Sequence, residues 1–225
     1  MPAPLPGTLQ IHIIRPGDVP QDLVEHCLTD ADQKRAASFR FPEHASRWSR
    51  YRAALRMILA ECTGDTPRQL PIFEGKHGKP QLRDHALHFN LSHDDTLALA
   101  VLSVDGPVGI DLESRHRAKD LPACAETFCH PEELASGPDD AALLRIWTAK
   151  EACVKASGTG FTVSPCEIRV VEDGVLDASG VTWPLLRLEH PALAGHLAHV
   201  CALQMPAFME ILDEPVAHRF TAATS

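Results

Sequence analysis

The stretch of sequence that organises the fold reads Trp147-Thr148-Ala149-Lys150-Glu151-Ala152-Cys153-Val154-Lys155. If residues 143–156 form a helix, apolar side chains recur on one face and can pack inward: Leu143, Leu144, Trp147 and Val154. Glu151 and Lys155 then lie one turn apart at the border of that face. Such a pair is either a surface ion pair, worth about 0.2–0.5 kcal/mol to the helix, or part of a functional site.

A second acidic pattern lies upstream, in Val108-Gly109-Ile110-Asp111-Leu112-Glu113. Side chains alternate between the two faces of a strand, so Asp111 and Glu113 share the face opposite to the three apolar residues. Two neighbouring carboxylates repel each other unless a cation lies between them. Considered without other residues, the pair is explained by a half-exposed strand whose two acidic side chains have no functional role. Together with Glu151, it supplies three carboxylates, hard oxygen ligands that suit Mg²⁺ held with substrate phosphates.

The composition indicates an ordinary folded protein. The chain has 225 residues, 44% hydrophobic and 23% charged, enough for one large domain or two small ones. It has no apolar run long enough for a membrane helix, and its first seven residues lack the features of a secretory signal, so we expect a cytoplasmic protein. Seven widely spread cysteines without a Cys-x-x-Cys pair indicate reduced thiols.

The charge pattern limits the possible ligands. A formal net charge of −9 argues against general nucleic-acid binding, which requires a basic surface. Residues 30–56 are nevertheless locally positive, because three acidic residues stand against seven basic ones: Lys34, Arg35, Arg40, Arg47, Arg50, Arg52 and Arg56. This segment is either the solvated face of a helix or a pocket for a small, highly phosphorylated ligand.

Periodicity and turn residues predict a mixture of helices and strands. The predicted helices are 21–27, 30–39, 43–62, one that starts within 127–133, and 141–156, with Gly64 as a C-cap. The predicted strands are 9–15, 87–91, 97–104, 108–113, 167–172, 183–188 and 196–203, with a hairpin around Asp94-Asp95. Residues 75–80 are too rich in glycine to be regular. Residues 105–107 are the best boundary between two halves, and Pro215 onward is expected to be a loose tail.

Five motifs in order resemble those of 4′-phosphopantetheinyl transferases of the larger, surfactin-synthetase type. They are Gly78-Lys79-Pro80, Asn90-Leu91-Ser92-His93, the strand motif ending in Glu113, Phe128-Cys129-His130-Pro131-Glu132, and the helix motif ending in Lys155. The resemblance covers residues 30–160. It implies an α+β fold of two similar α/β subdomains related by a pseudo-two-fold axis, each a small, mostly antiparallel sheet packed on a long helix. The halves would be 1–105 and 106–225.

The resemblance also implies an activity. Such enzymes transfer the 4′-phosphopantetheine arm of coenzyme A to a serine of an apo acyl or peptidyl carrier protein and release adenosine 3′,5′-bisphosphate. Asp111, Glu113 and Glu151 would hold Mg²⁺ against the diphosphate of coenzyme A. Glu151 would also act as the base for the carrier serine, and Lys155 would neutralise the diphosphate or leaving group. The larger type is monomeric, so we expect a monomer.

The resemblance assigns coenzyme A contacts as well. Arg47 and Arg35 match family residues that bind the 3′-phosphate of coenzyme A. Lys79, Ser92 and His93 would complete the nucleotide pocket. Asp32 stands where relatives can have a basic residue. Glu132 belongs to a motif, although helix capping is its simplest role, and Lys150 is either a phosphate contact or a structural partner.

Two other functions remain open from the residues. The first is a non-catalytic, magnesium-dependent protein that binds coenzyme A or a nucleotide, for which the same phosphate contacts would serve. The presence of both Glu151 and Lys155 disfavours it, because a binding protein needs no base. The second is a nucleic-acid module using residues 47–56, whose binding would weaken steeply with salt.

Overall fold

The structure, a computed structural model, describes residues 2–218, except for the side chain of Phe161. Its α-helices are α1 (Gln21–Cys27), α2 (Asp30–Ala37), α3 (Pro42–Thr63), α4 (Ala125–Phe128), α5 (Pro131–Ala135) and α6 (Asp140–Ser157). Its strands are β1 (Thr8–Ile14), β2 (Ile72–Glu74), β3 (Pro80–Leu82), β4 (His88–His93), β5 (Ala98–Ser103), β6 (Val108–Ser114), β7 (Arg169–Val171), β8 (Gly174–Leu176), β9 (Thr182–Trp183), β10 (Leu185–Arg187), β11 (His196–Ala202) and β12 (Phe208–Leu212). The α+β class predicted from the sequence is confirmed.

The first sheet packs against α3. Its strand order is β12-β1-β5-β4, with β1 antiparallel to β5 and parallel to β12. One face of the sheet and the buried side of α3 form a core that contains Tyr51, Ile58 and Phe89. The helix ends at Gly64, whose φ of 80° is the left-handed conformation of the predicted C-cap.

The second sheet packs against α6 and has the strand order β10-β11-β6, entirely antiparallel. The other faces of the two sheets pack on each other and share one core, in which Ile11, Val101 and Ile110 are fully buried. The main body is therefore layered in the order helix, sheet, sheet, helix. The two smaller sheets are β2-β3 and β7-β8-β9.

The carboxyl-terminal strand links the two halves. β12 lies beside β1 in the first sheet, with Thr8 opposite Phe208 and His12 opposite Leu212. A cut at residue 105 therefore does not separate the two sheets completely, and the division at 105/106 and the pseudo-two-fold relation stay predictions. Within the expected loose tail, Val216 is buried in the first core. Residues 219–225 lie outside the described part of the chain.

The buried face of α6 differs from the predicted apolar stripe. Leu143 and Leu144 are buried as predicted, whereas Trp147 and Val154 are only half-buried. The fully buried side chains are mostly small: Thr148, Ala149, Ala152, Cys153 and Ala156. Small residues are needed because α6 runs very close to β6. A Cβ built on Gly109 would lie 2.2 Å from both Ala152 O and Ala156 N.

The buried side chain of Lys150 connects α6 to neighbouring elements of the fold. Its side chain is 2% exposed, and its Nζ lies 2.6 Å from Glu133 Oε2. The same ammonium donates to the carbonyl oxygens of Phe128 (2.8 Å) and Pro165 (3.1 Å). Burial lowers the pKa of Lys150, while the hydrogen bond and charge of Glu133 oppose this shift. The ammonium thus joins α6 to α5 and to the segment before β7.

We expect Lys150→Met to destabilise the protein by about 3–5 kcal/mol, because it leaves the buried Glu133 carboxylate without its counter-charge. Urea unfolding followed by circular dichroism measures the loss. The matched control is Arg169→Met, which breaks an ion pair with Glu132, whose side chain is 66% exposed, and should cost less than about 1 kcal/mol. Equal losses in the two variants would contradict the structural role of Lys150.

Candidate active site at the junction of the two halves

The site lies where β4 of the first sheet approaches β6 of the second. Side chains of β4 bind backbone groups of β6: Asn90 Oδ1 accepts from Ile110 N (2.9 Å), and Ser92 Oγ accepts from Leu112 N (3.3 Å). Asn90 and Ser92 lie on the same face of β4 because they are two residues apart. Polar side chains therefore connect the two sheets along this edge.

Asp111 is at the centre of the site and is only 4% exposed. Its Oδ1 accepts hydrogen bonds from Lys155 Nζ (2.6 Å) and Ser92 Oγ (3.1 Å). Its Oδ2 is buried and has no hydrogen-bond partner. A buried acceptor left without a partner is costly, so Oδ2 is suited to bind a cation.

Glu113 is held at the next position on the same face of β6. Its Oε1 accepts from Trp147 Nε1 (2.9 Å) and from Arg117 Nη1 (2.5 Å). The Arg117 guanidinium also lies 6.0 Å from the centre of the Trp147 ring. Trp147 and Arg117 together fix this carboxylate. The sequence pattern treated Trp147 as a core residue and gave no role to Arg117.

Glu151 on α6 is electrostatically coupled to both strand carboxylates. Burial and the charge of Asp111 raise its pKa, Lys155 and Arg117 lower it, and Glu113 raises it further. Within residues 2–218, no group of three or more His, Cys, Asp or Glu side chains is gathered in a metal-binding arrangement. The shared ion site of Asp111, Glu113 and Glu151 therefore stays a prediction. The unpaired Asp111 Oδ2 and the repulsion among the carboxylates fit such an ion.

Two cavities adjoin this acidic centre. The larger, of about 740 Å³, is lined by residues that include Arg35, Trp48, Tyr51, Arg52, Phe73, Asn90 and His93. The smaller, of about 320 Å³, is lined by residues that include His77, Gly78, Lys79, Asn90, Glu151 and Lys155. Pro80 and Asn90 line both. The two cavities therefore share a wall at Pro80 and Asn90, and Glu151 lines the smaller one.

Arg35 and His93 lie in the wall of the larger cavity. The His93 ring centre is 5.2 Å from that of Tyr51. Burial lowers the pKa of His93, and the nearby charges of Lys155 and Arg47 lower it further. The third predicted phosphate contact, Arg47, forms an ion pair with Asp95 (2.6 Å). Asp95 is 83% exposed, so this pair is weak and Arg47 can exchange partners at little cost.

Lys79 and Ser92 have contacts other than those expected of nucleotide ligands. Lys79 Nζ donates to Val108 O (2.9 Å) and Ala156 O (3.0 Å), and burial lowers the pKa of Lys79 to about 8. Its ammonium thus ties the glycine-rich loop to β6 and to the end of α6. Ser92 is bonded within the acidic centre. Their predicted roles in nucleotide binding stay untested.

Asp32 forms ion pairs with two of the arginines in the positive segment of residues 30–56. It is 5% exposed, accepts from Arg52 Nε (2.8 Å) and Arg56 Nε (2.7 Å), and forms a capping box with Thr29 at the start of α2. The Asp32 carboxylate therefore holds both guanidinium groups and offsets one of their two positive charges. Sequence spacing did not reveal this pairing, because Asp32 and the arginines belong to different helices.

Comparison with known proteins identifies the family. Residues 107–191 match the model described as the 4′-phosphopantetheinyl transferase superfamily. The chain is 37% identical over 166 residues to 4′-phosphopantetheinyl transferase HetI of Nostoc sp., covering 68% of this chain and 70% of HetI. It is 36% identical over 154 residues to 4′-phosphopantetheinyl transferase psf-1 of Bacillus pumilus (63% and 64% of the two chains). It is 38% identical over 111 residues to 4′-phosphopantetheinyl transferase AcpT of Salmonella typhimurium (46% and 56%).

The match to HetI covers more than two thirds of each chain, and the resemblance seen in the sequence is confirmed. The chain belongs to the 4′-phosphopantetheinyl transferase superfamily, and it is an enzyme of this type. Within residues 2–218, no helix combines the length and apolar character needed to cross a membrane.

Proposed function

We propose that this enzyme transfers the 4′-phosphopantetheine arm of coenzyme A to a serine of an apo acyl or peptidyl carrier protein and releases adenosine 3′,5′-bisphosphate. The observation that carries the proposal is the contact between α6 and β6. It brings Lys155 within 2.6 Å of Asp111 and places Glu151 beside the same carboxylate. Glu151 and Lys155 line the smaller cavity, which shares Pro80 and Asn90 with the larger one.

The nucleotide of coenzyme A would occupy the larger cavity. Its wall offers aromatic surface for an adenine ring, from Trp48 and Phe73, and a guanidinium for phosphate, from Arg35. Arg47 would leave the exposed Asp95 to bind the 3′-phosphate. The diphosphate and the pantetheine arm would then continue past Pro80 and Asn90 into the smaller cavity.

Two of the groups needed for the chemistry, Glu151 and Lys155, line the smaller cavity. Lys155 would neutralise the diphosphate and the leaving adenosine bisphosphate. Glu151 would accept the proton of the carrier serine, directly or through a water, because its carboxylate lines the smaller cavity. Asp111, Glu113 and Glu151 would hold Mg²⁺, which when bound supplies charge neutralisation for the diphosphate.

The carrier protein would approach the mouth of the smaller cavity, where its serine can reach Glu151. The enzyme has a formal net charge of −9, so an acidic carrier would be repelled at long range and would dock through apolar contacts and local basic residues.

We infer that the enzyme works as a monomer in the cytoplasm. Its seven cysteines are free thiols, which suits a reducing compartment.

The proposal is tested by incubating the protein with coenzyme A, Mg²⁺ and a panel of purified apo acyl and peptidyl carriers. We expect intact-mass spectrometry to show the gain of one phosphopantetheine on at least one carrier, and no gain on the same carrier with its acceptor serine changed to alanine. Binding of coenzyme A without a mass gain on any carrier would favour the alternative, a magnesium-dependent binding protein.

A further inference from the structure

The hairpin that joins β4 to β5 is held together by the side chain of Asp94. Its Oδ1 accepts hydrogen bonds from Thr96 N (2.7 Å), Thr96 Oγ1 (2.8 Å) and Leu97 N (3.1 Å). Aspartate side chains commonly stabilise turns in this way. Burial opposes the ionisation of Asp94, but these hydrogen bonds outweigh it and lower the pKa of the carboxyl group. They use one carboxylate oxygen, so Oδ2 is left for a partner outside the hairpin.

That partner is His196, at the start of β11 in the second sheet. Its Nε2 lies 2.8 Å from Asp94 Oδ2 and 3.2 Å from Thr96 Oγ1. The Thr96 hydroxyl already directs its proton to Asp94 Oδ1, and a carboxylate oxygen only accepts. His196 Nε2–H is therefore the donor to both oxygens. The contact is largely shielded from water, because the side chains of His196 and Asp94 are only 13% and 19% exposed.

The hairpin carries two parts of the nucleotide pocket. His93, immediately before it, lines the larger cavity, and its ring forms a hydrogen bond with the backbone of Asp94. The Asp94 carbonyl oxygen also lies 3.5 Å from the hydroxyl of Tyr51, the residue on which the His93 ring packs. Asp95, within the hairpin, is the partner of Arg47. A displacement of the hairpin would therefore move His93 and release Arg47.

We propose that His196 is a positioning residue for the nucleotide pocket: through Asp94 it holds residues 94–97 where His93 and Arg47 can meet the nucleotide. This inference rests on the proposed function, in which the nucleotide of coenzyme A occupies the larger cavity. In the second sheet, His196 lies opposite Ser114, the residue after Glu113 on β6. The hydrogen bond thus joins the edge of the nucleotide pocket to the strand that carries the predicted metal ligands.

A second histidine–aspartate contact provides a control. His85 Nε2 lies 3.0 Å from Asp65 Oδ2, and the two side chains are 27% and 38% exposed. Neither residue is among those that line the larger cavity. His85→Ala therefore removes the same type of contact without touching residues 94–97. If such contacts only stabilise the fold, His85→Ala and His196→Ala should have the same effect on nucleotide binding.

The experiment measures two affinities on the full chain. Binding of adenosine 3′,5′-bisphosphate is followed by calorimetry with EDTA present, and binding of Mn²⁺ by the electron paramagnetic resonance signal of the free ion. We expect His196→Ala to raise the nucleotide Kd on the order of 10-fold, and to change the Mn²⁺ Kd less than about 2-fold. His85→Ala should change both constants less than about 2-fold. His196→Gln should recover most of the nucleotide affinity, because its amide nitrogen can take the place of the ring Nε2–H.

A double-mutant cycle tests whether His196 acts through Asp94. Asp94→Ser keeps a side-chain oxygen that can accept from the hairpin, but it has no second oxygen for His196. Adding His196→Ala to Asp94→Ser should raise the nucleotide Kd by less than about a further 2-fold, because the shared hydrogen bond is already lost. Full additivity of the two losses would contradict the proposed route.

Further outcomes distinguish this inference from the proposed function. If His93→Ala leaves the nucleotide Kd unchanged, the assignment of the nucleotide to the larger cavity is wrong. If His93→Ala weakens nucleotide binding but His196→Ala weakens it no more than His85→Ala, only the role of His196 is wrong. An equal loss of Mn²⁺ and nucleotide affinity in His196→Ala would indicate a general loosening of the junction and overturn the positioning role. If His196→Ala does not fold, His196→Gln is compared with His196→Met, which has similar length and no donor; equal nucleotide affinities would overturn the inference.

Discussion

Replacing Asp111 by asparagine is expected to lower phosphopantetheine transfer on the order of 10³-fold while the fold remains intact. Asparagine has the same shape, but it removes the charge of the carboxylate that Lys155 and Ser92 hold in place. Charge stabilisation by a metal ion is worth several kcal/mol in a phosphoryl transfer, and about 4 kcal/mol corresponds to this loss. Transfer rates on one carrier protein, measured by intact mass, test the expectation.

The control is Asp22→Asn, the same chemical change on the exposed surface of α1. It should leave both the rate and the melting temperature unchanged. Ile110 and Leu112 are buried in the core between the sheets, so β6 should keep its place in the Asp111 variant. If the Asp111 variant retained the wild-type rate, Asp111 would have no part in the reaction.

Replacing Gly109 by alanine is expected to displace α6 and to lower transfer by about 100-fold or more. The added Cβ would lie 2.2 Å from two backbone atoms of α6, Ala152 O and Ala156 N. Backbone atoms cannot rotate away as a side chain can, so the helix must move. Glu151 and Lys155 would move with it, and misplacement of reacting groups by about 1 Å can cost about 100-fold in rate. Overpacking of this kind also costs about 1–3 kcal/mol or more in stability.

The matched control is Gly17→Ala, because an added Cβ there meets no atom within 4 Å. Thermal unfolding and transfer rates are compared for both variants. Gly17→Ala should change stability by less than about 1 kcal/mol and leave the rate unaffected. A Gly109→Ala protein with the stability and rate of the wild type would show that the close approach of α6 to β6 is not required.

Strand β6 could be predicted from the sequence because apolar residues alternate with other residues along it. This alternation shows which side chains lie on each face of the strand. Val108, Ile110 and Leu112 enter the core between the sheets, while Gly109 and Asp111 face α6. The hairpin of β4 and β5 and the bounds of α1 were predicted within one or two residues, since turn residues mark their ends. Strong local patterns are sufficient for elements of this kind.

Other features depend on contacts that no local pattern records. β12 has exposed residues and no clear alternation, and it becomes a strand only by pairing with β1, some 200 residues earlier. The contact face of α6 could not be located because it is set by the position of one glycine on another element. In the same way, the sequence shows only that Asp32 stands where relatives can have a basic residue. The structure explains its burial, because two arginines of α3 form ion pairs with it.

The central claim is that Asp111, Glu113 and Glu151 hold one divalent cation at the junction of the two halves. The most direct measurement is the anomalous scattering of Mn²⁺ in crystals of the protein grown with coenzyme A. We predict a single peak bridging the diphosphate and within coordination distance of all three carboxylates. An anomalous peak that lies away from these side chains, or a bound diphosphate without any ion near Asp111, would contradict the account.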